Sequence, residues 1–242
     1  MRLLLGLSLL VNLVGVALIL RVIRKRGGWT FVRSWLVARG LMRDEAKERF
    51  ERGYRSTKAE LFDRLPITPT DIVFVGDSLV EGGPWHELLG DPRCKNRGIG
   101  GDTTQGVLDR IDALVEAQPA QVFLMVGVND LLQGIPLETV IERYRLIVER
   151  VVARSPHTRL VLQGNLPLDP VTLGEGDNAQ IRRLNEALRV IAAEHQATFV
   201  ALYPLFERDG RLAPELTSDG LHLSGEGYWV WRGAIAPLLP SA

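Results

Sequence analysis

A serine beside an aspartate follows a short apolar run near residue 75. The stretch DIVFVGDSLVEGG covers Asp71 to Gly83, and its apolar residues stop at Gly76, just before Asp77 and Ser78. Asp and Ser at such a position are common N-caps of helices, where each contributes about 1 kcal/mol. A serine hydroxyl becomes an effective nucleophile only when a base removes its proton. A catalytic role for Ser78 therefore requires a histidine and an acid that orients it.

One of the four histidines has a carboxylate at a suggestive spacing. His222 lies in TSDGLHLSGEGY, three residues after Asp219. In a glycine-containing loop, this spacing lets the carboxylate reach one imidazole nitrogen and fix the tautomer, which leaves the other nitrogen free as a base. The pattern Asp-x-x-His also arises often by chance. We interpret the other histidines, His86, His157 and His195, as structural.

Acyl transfer also needs hydrogen-bond donors for a developing oxyanion, and removing one such donor costs about 2.7–4 kcal/mol. Three candidates are the backbone N–H of Ser78, the backbone N–H of Gly101 in GIGGDTT, and the side-chain amide of Asn129 in GVND. The glycine loop is open to another interpretation as a phosphate-binding turn, although it lacks the dinucleotide fingerprint and the P-loop Lys-Ser/Thr. Asn129 is equally compatible with a simple turn.

The elements that must position these groups alternate between strand-like and helix-like segments. Apolar runs occur at Ile72–Val75, Val122–Val126, Leu160–Leu162 and Thr198–Leu202, with a weaker strand-like segment near Cys94–Arg97, and helical spacing occurs at Leu137–Arg154 and Asn178–His195. Near-continuously apolar strands separated by helices indicate a three-layer α/β/α domain with about five parallel strands. Ligands of such sheets bind beyond the carboxyl ends of the strands. We therefore expect the serine, the glycine loop and the asparagine at one rim.

Four separated blocks together resemble the SGNH hydrolases, also called the GDSL esterase/lipase family. In family order they are GDSL at Gly76–Leu79, NRGIGGDTT at Asn96–Thr104, GVND at Gly127–Asp130 and DGLH at Asp219–His222. The segment GIGGDTT is most similar to the branch that includes platelet-activating-factor acetylhydrolase catalytic subunits and many bacterial esterases. The resemblance frames residues 70 to 238.

The resemblance implies a flavodoxin-like fold and a serine ester hydrolase that needs neither metal nor cofactor. By that resemblance Ser78 is the nucleophile, His222 the base and Asp219 its orienting acid, while Ser78, Gly101 and Asn129 form the oxyanion hole. We expect hydrolysis of short-chain or lipid-derived acyl esters through an acyl-enzyme. The alternatives are an acyltransferase, a thioesterase or lysophospholipase on the same site, and a non-catalytic domain that binds acylated glycans.

Several large apolar residues near the expected rim either form an acyl pocket or belong to the core. They are Trp85, Leu88, Leu131, Leu132 and Leu168. The aspartates Asp77, Asp102 and Asp130 lie beside the candidate catalytic residues, and we expect them to order their turns and loops.

Composition narrows the classes of partner. Lys plus Arg equals Asp plus Glu, at 29 each, which gives no indication of a nucleic-acid partner. Cys94 is the only cysteine, so an intrachain disulfide and a thiolate metal cluster are excluded. A small-molecule, lipid or glycan ester is the expected partner.

The N-terminal residues predict a membrane anchor. Leu3–Leu20 carry no charge, and eighteen residues at about 1.5 Å each approach the ~30 Å hydrocarbon core. RVIRKRGG follows instead of a cleavage site, which favours an uncleaved single-pass anchor over a signal peptide. The positive-inside rule then places the domain in the cytoplasm, with a periplasmic or extracellular location as the alternative.

These observations predict three parts of the chain: an anchor at residues 1–23, a basic and amphipathic helical connector at 24–69, and the hydrolase domain at 70–242. Within the connector, Trp29–Met42 interleaves aromatic residues with arginines, which is typical of a helix in the membrane interface and equally of a helix packed on the domain.

Overall fold

The computed structural model of the chain describes residues 21–26, 28–29, 32–33, 36, 45–174 and 176–240. The predicted anchor therefore lies outside the described residues, except for 21–23, which are helical. Most of the predicted interfacial helix also lies outside them. Within the described part of the chain, no helix is both long enough and apolar enough to cross a membrane. The anchor, the cytoplasmic location and the three-part division of the chain stay predictions from the sequence.

The compact unit that begins at Gly53 is built on one five-stranded sheet. Its strands are β1 Ile72–Gly76, β2 Cys94–Gly98, β3 Gln121–Met125, β4 Arg159–Gln163 and β5 Thr198–Val200. All neighbours pair in parallel, in the order β2-β1-β3-β4-β5. This is the flavodoxin-like order. The order in which strands are added reverses between β1 and β3, which leaves a crevice at their carboxyl ends. The predicted parallel sheet is confirmed.

Helices cover both faces of this sheet. The described helices are α1 Glu45–Arg64, α2 Ser78–Glu81, α3 Trp85–Leu89, α4 Thr104–Val115, α5 Val128–Leu132, α6 Leu137–Arg154, α7 Pro170–Leu173, α8 Asn178–Glu194, α9 Tyr203–Phe206 and α10 Gly225–Ile235, with 3-10 turns at Pro214–Leu216 and Ala236–Leu238. The sequence predicted the bounds of α6 and, to within one residue, those of α8. It did not predict a short hairpin of β6 Glu207–Arg208 and β7 Arg211–Leu212.

Alternate residues of each strand point into two separate cores, because successive side chains of a strand point to opposite faces. Val73 and Val75 of β1 pack in the core formed with α4, α6 and α8. Ile72 and Phe74 pack in the core formed with α3 and α10. All four side chains are 0% exposed. Burial on both faces explains why β1 reads as a continuous apolar run.

A close approach at the end of β2 brings the glycine loop against the helix that carries Ser78. A Cβ atom at Gly98 would lie 2.2 Å from the backbone nitrogen of Glu81 in α2. Contacts this short do not occur between real Cβ atoms and backbone, so only glycine fits without a shift of one segment. Gly98 thereby sets the distance between α2, which begins at Ser78, and the loop that follows β2.

We predict that Gly98→Ala lowers the free energy of unfolding by about 1–3 kcal/mol, because the added methyl group overpacks this contact. Urea denaturation of the full chain measures the change. Gly233→Ala is the matched control, since a Cβ there meets no atom within 4 Å and the residue lies inside α10. The control should gain about 0.5–1 kcal/mol from helix propensity. A Gly98→Ala protein as stable as wild type would contradict the prediction.

Candidate active site

The turn after β1 places Ser78 at the carboxyl edge of the sheet. Gly76 ends the strand, and Asp77 serves as the N-cap of α2, with Oδ1 accepting a hydrogen bond of 3.0 Å from the backbone N–H of Leu79. Ser78 is therefore the first residue of α2 and is partly exposed. The capping function belongs to Asp77, which leaves the hydroxyl of Ser78 available for another contact.

That contact is with His222. The hydroxyl oxygen of Ser78 lies 3.0 Å from Nε2 of His222, although the two residues are 144 positions apart. Nδ1 of His222 lies 2.7 Å from Oδ2 of Asp219. A carboxylate held at Nδ1 fixes the tautomer whose Nε2 can accept a proton, which is the arrangement required for activating a serine. The structure thus brings together the three residues that the sequence predicted as a triad.

The loop that carries Asp219 and His222 is fastened by hydrogen bonds to its own backbone. Oδ1 of Asp219 accepts the backbone N–H groups of Leu221 at 3.0 Å and His222 at 2.7 Å. The Thr217 hydroxyl donates to the carbonyl of His222 at 2.7 Å. From the loop after β4, the N–H of Asp169 reaches the carbonyl of Gly220 at 2.8 Å.

The acid of this loop remains ionised although it is partly desolvated. Burial alone would raise the pKa of Asp219, but hydrogen bonds from the side chain and backbone of His222 and from Leu221 outweigh it and hold the pKa below its usual value. The side chains of His222 and Asp219 are 44% and 50% exposed, so solvent reaches the pair directly.

Two backbone N–H groups and one side-chain amide at the strand exits have donors left for a further hydrogen bond. Among the described residues, no acceptor takes the backbone N–H of Ser78 or of Gly101. Gly101 has a φ of 73°, a conformation that favours glycine. The Asn129 amide donates one hydrogen bond of 2.8 Å to the carbonyl of Asp102. Since the amide carries two N–H groups, the second stays available.

Two buried carboxylates tie the three strand exits together, as predicted for loop-ordering residues. Oδ2 of Asp102 accepts a hydrogen bond of 3.0 Å from Nε of Arg110, whose Nη2 also donates to the carbonyl of Gly76 at 3.2 Å. Asp130 accepts the backbone N–H of Thr104 at 2.8 Å and its hydroxyl at 2.6 Å. The glycine loop is thus fixed to the exits of β1 and β3.

Asp77 is the least compensated of the acids near the site. It is fully buried, and among the described residues its Oδ2 atom has no hydrogen-bond partner. Burial, together with the negative charges of Asp102 and Asp130, raises the pKa of Asp77 to about 7, against which the hydrogen bond from Leu79 acts only in part. The turn under Ser78 therefore contains a carboxyl group that is partly protonated at neutral pH.

Two residues that support the site were not identified from the sequence. The Asn96 amide in β2 donates to the carbonyls of Val80, Glu81 and Gly83, each at 2.9 Å, and so completes the carboxyl end of α2. Glu81 accepts the backbone N–H of Gly100 at 2.8 Å. The only available signal for Asn96 was an asparagine inside a strand, where this residue type is depleted. No spacing rule identifies Glu81.

The remaining histidines, which we interpreted from the sequence as structural, lie away from this cluster. His86 is exposed beside Glu87. His157 and His195 line a cavity of about 440 Å³ next to Arg159 and Thr198, where β4 and β5 begin, at the edge of the sheet opposite Ser78. In the described part of the chain, no group of three or more His, Cys, Asp or Glu residues is arranged to hold a metal ion.

The five candidate pocket residues divide between core and cavity. Trp85 is 1% exposed and stacks on Phe74 at 4.4 Å between ring centroids, and Leu88 packs against the same core. Leu131, Leu132 and Leu168 line a cavity of about 260 Å³.

The chain is similar to a known family and to known proteins. The model of the GDSL-like lipase/acylhydrolase family matches residues 74–230. The chain is similar to the platelet-activating factor acetylhydrolase IB subunit alpha1 of Bos taurus, with 38% identity over 179 residues, which cover 70% of this chain and 75% of the relative.

Solved structures share the fold. One from Streptococcus pneumonia, described as a platelet activating factor, is 26% identical with a TM-score of 0.71 and covers 87% of this chain and 97% of its own. The acetylxylan esterase Axe2 of Geobacillus stearothermophilus, as a catalytic mutant, has a TM-score of 0.58 at 17% identity over 70% of this chain and 94% of its own. The second likeness concerns the fold alone.

We predict that Asp77→Asn changes the pH dependence of stability. The folded protein holds a proton on Asp77 up to about pH 7, well above the ordinary carboxyl range near pH 4. Since the folded state then binds more protons than the unfolded chain, this carboxyl favours folding at low pH, and that contribution is lost as the pH rises through about 7. The substituted amide does not titrate and still offers an oxygen to the Leu79 N–H. The stability of the variant relative to wild type should therefore rise between about pH 4 and 7.

Urea denaturation of both proteins at several pH values measures this difference in the free energy of unfolding. Two parallel curves across the window would contradict a raised pKa at Asp77.

Proposed function

Because the chain belongs to the GDSL-like lipase/acylhydrolase family, the SGNH hydrolases, and is an ester-hydrolysing enzyme, we propose that Ser78, His222 and Asp219 are its catalytic triad. The observation that carries this assignment is the continuous chain from the Ser78 hydroxyl to Nε2 at 3.0 Å and from Nδ1 to Asp219 at 2.7 Å. Each contact lies within hydrogen-bond reach, as nucleophile activation by a base requires.

The first half-reaction acylates the enzyme. Nε2 of His222 takes the proton of Ser78 while Oγ attacks the ester carbonyl carbon. The N–H groups of Ser78 and Gly101 and the amide of Asn129 donate to the resulting oxyanion, and Asp219 stabilises the imidazolium. When the intermediate collapses, the bond to the alcohol oxygen breaks and His222 returns the proton to that oxygen.

The second half-reaction releases the acid. A water molecule at the exposed face of His222 gives its proton to Nε2 and attacks the acyl-enzyme through the same oxyanion geometry. Collapse restores the Ser78 hydroxyl with the proton held by His222. The half-exposed His222 and Asp219 side chains leave room for this water.

We further propose that the preferred substrates carry short acyl chains. The cavity of about 260 Å³ begins at Leu131 and Leu132, which follow Asn129 on α5. The apolar cluster around Leu168 that forms its wall also includes Leu221, the neighbour of His222. A small space with leucines on one side, close to the segments that carry Asn129 and His222, suits a short chain better than a long one. The similar mammalian protein is named an acetylhydrolase, which agrees with this size.

Acyl transfer to an alcohol is the second candidate. The same open access to His222 that admits water also admits an alcohol acceptor. Product analysis with added glycerol separates the two, since a transferase yields glycerol esters at the expense of free acid.

We predict that Ser78→Ala lowers kcat by about four orders of magnitude or more, because the nucleophile is lost while the donors remain. The assay follows hydrolysis of p-nitrophenyl esters from acetate to palmitate by the full chain. Ser56→Ala, an exposed serine on α1, is the matched control and should behave as wild type. Equal activity of Ser78→Ala and wild type would show that Ser78 is not the nucleophile.

We predict that Leu132→Ala shifts the chain-length profile towards longer esters. Removing this side chain enlarges the cavity, so kcat/KM for octanoate should rise several-fold relative to acetate, in line with roughly 10–200-fold discrimination per methylene in apolar pockets. Leu146→Ala, an exposed leucine of α6, should leave the profile unchanged. If both variants retain the wild-type ratio of octanoate to acetate activity, the cavity does not hold the acyl chain.

A further inference from the structure

We propose that Glu81 is a positioning residue that joins α1 to the oxyanion loop, defined as residues Ile99–Thr103, and holds Gly101 where its N–H can meet the reacting oxygen. The proposal rests on the assignment of Gly101 as an oxyanion donor. It concerns a part of the chain that begins before the family match, since α1 ends at Arg64 and the match begins at residue 74.

The carboxylate of Glu81 makes a separate contact with each oxygen. Oε2 accepts the backbone N–H of Gly100 at 2.8 Å. Oε1 accepts the hydroxyl of Tyr54 and lies 2.8 Å from Nζ of Lys58. Both donors belong to α1, one turn apart, so the carboxylate joins the helix to the loop residue that precedes Gly101.

The contacts lie close to the nucleophile. Glu81 itself is the last residue of α2, which starts at Ser78. A Cβ atom at Gly100 would lie 3.0 Å from Oε2 of Glu81, 3.5 Å from the ring of Tyr54 and 4.0 Å from Cβ of Ser78. A small movement of Gly100 therefore changes the distance between the loop and the serine.

The contacts with Lys58 and Tyr54 keep Glu81 ionised, so that it accepts hydrogen bonds as a carboxylate. Its side chain is 22% exposed. Burial alone would raise its pKa, but hydrogen bonds from Lys58 and Tyr54 outweigh it, so that the pKa lies below the usual value and the group stays ionised. The same hydrogen bond raises the pKa of Lys58, against the effect of burial. The Lys58 ammonium therefore offsets a negative charge that would otherwise oppose an oxyanion nearby.

The loop needs this support because it begins with adjacent glycines. Gly100 and Gly101 lack side chains that could pack, and Gly101 has a φ of 73°. The loop is further held by a turn in which the N–H of Asp102 donates to the carbonyl of Ile99 at 3.0 Å. Arg55 of α1 also donates to the carbonyl of Gly101, at 3.4 Å. α1 thus contacts Gly101 directly through Arg55 and is joined to Gly100 through Glu81.

An interaction that positions a transition-state donor affects kcat rather than KM. A misplacement of about 1 Å can cost about 100-fold in rate. We expect Glu81→Ala to lower kcat for p-nitrophenyl acetate about 10–100-fold, with KM within about twofold of wild type. Glu81→Gln keeps an acceptor for the Gly100 N–H, and we expect it to retain most of the activity that Glu81→Ala loses.

Lys58→Met tests the charge independently of the fold of the loop. With Glu81 intact it leaves the carboxylate uncompensated, so kcat should fall. In the Glu81→Gln background the same change should have little further effect, because no charge is left to offset. Glu60→Ala, which removes an exposed ion pair of 2.8 Å with Arg64 on the same helix, is the matched control and should leave kcat unchanged.

Binding of a trifluoromethyl ketone, which forms an oxyanion on Ser78, gives a readout that a general loss of stability does not move. Its affinity should fall in Glu81→Ala by the same factor as kcat, while the affinity for the product acid stays constant. An unchanged kcat, or a loss in KM alone, would overturn the proposal. If Ser78→Ala retained activity, the proposed function would fail instead, so the two failures are distinguishable.

Discussion

The parallel register of three neighbouring strands is the constraint on which the rest of the site depends. Gly76, the last residue of β1, pairs with Gly98 of β2 on one side and with Met125 of β3 on the other. Because the three strands stop in one row, the segments after them start from the same edge of the sheet. The serine turn, the glycine loop and the helix with the asparagine converge there without any long insertion. The reversal of the strand order between β1 and β3 leaves a crevice at that edge.

The three segments also bring several carboxylates close to the candidate catalytic residues. The buried carboxylate of Asp102 is compensated by the guanidinium of Arg110, which also donates to the carbonyl of Gly76. Asp130 is satisfied by Thr104. Asp77 has only its capping bond, and burial raises its pKa to about 7. Loop order is thus achieved with buried charge, which costs stability unless it is paired or neutralised by a proton. The cost falls on the turn that carries Ser78.

The proposed acid and base are arranged differently from these supporting groups. Asp219 and His222 remain half exposed, and their geometry is set by the short loop itself rather than by a surrounding core. An open site suits a hydrolase whose second substrate is water. In the proposed mechanism, precision then has to come from the loop with Gly100 and Gly101, which Glu81 and Arg55 contact. A rigid sheet edge, an exposed base and a supported loop are therefore complementary parts of one site.

The sequence by itself determined the strands, the long helices and the residue types of the candidate site. Strands buried on both faces must be apolar along their whole length, and α6 repeats apolar residues at a helical period, so both are encoded in local spacing. The sequence predicted Ser78, Gly101 and Asn129 at strand exits and Asp219 and His222 in a loop before the last helix, and the structure brings Ser78, His222 and Asp219 into contact.

Only the tertiary structure decided which leucines line a cavity, why Trp85 belongs to the core, and that Tyr54 and Lys58 reach Glu81. Those contacts join segments about 23 to 27 residues apart along the chain. Their existence depends on how helices pack across the sheet, and local periodicity carries no information about that packing.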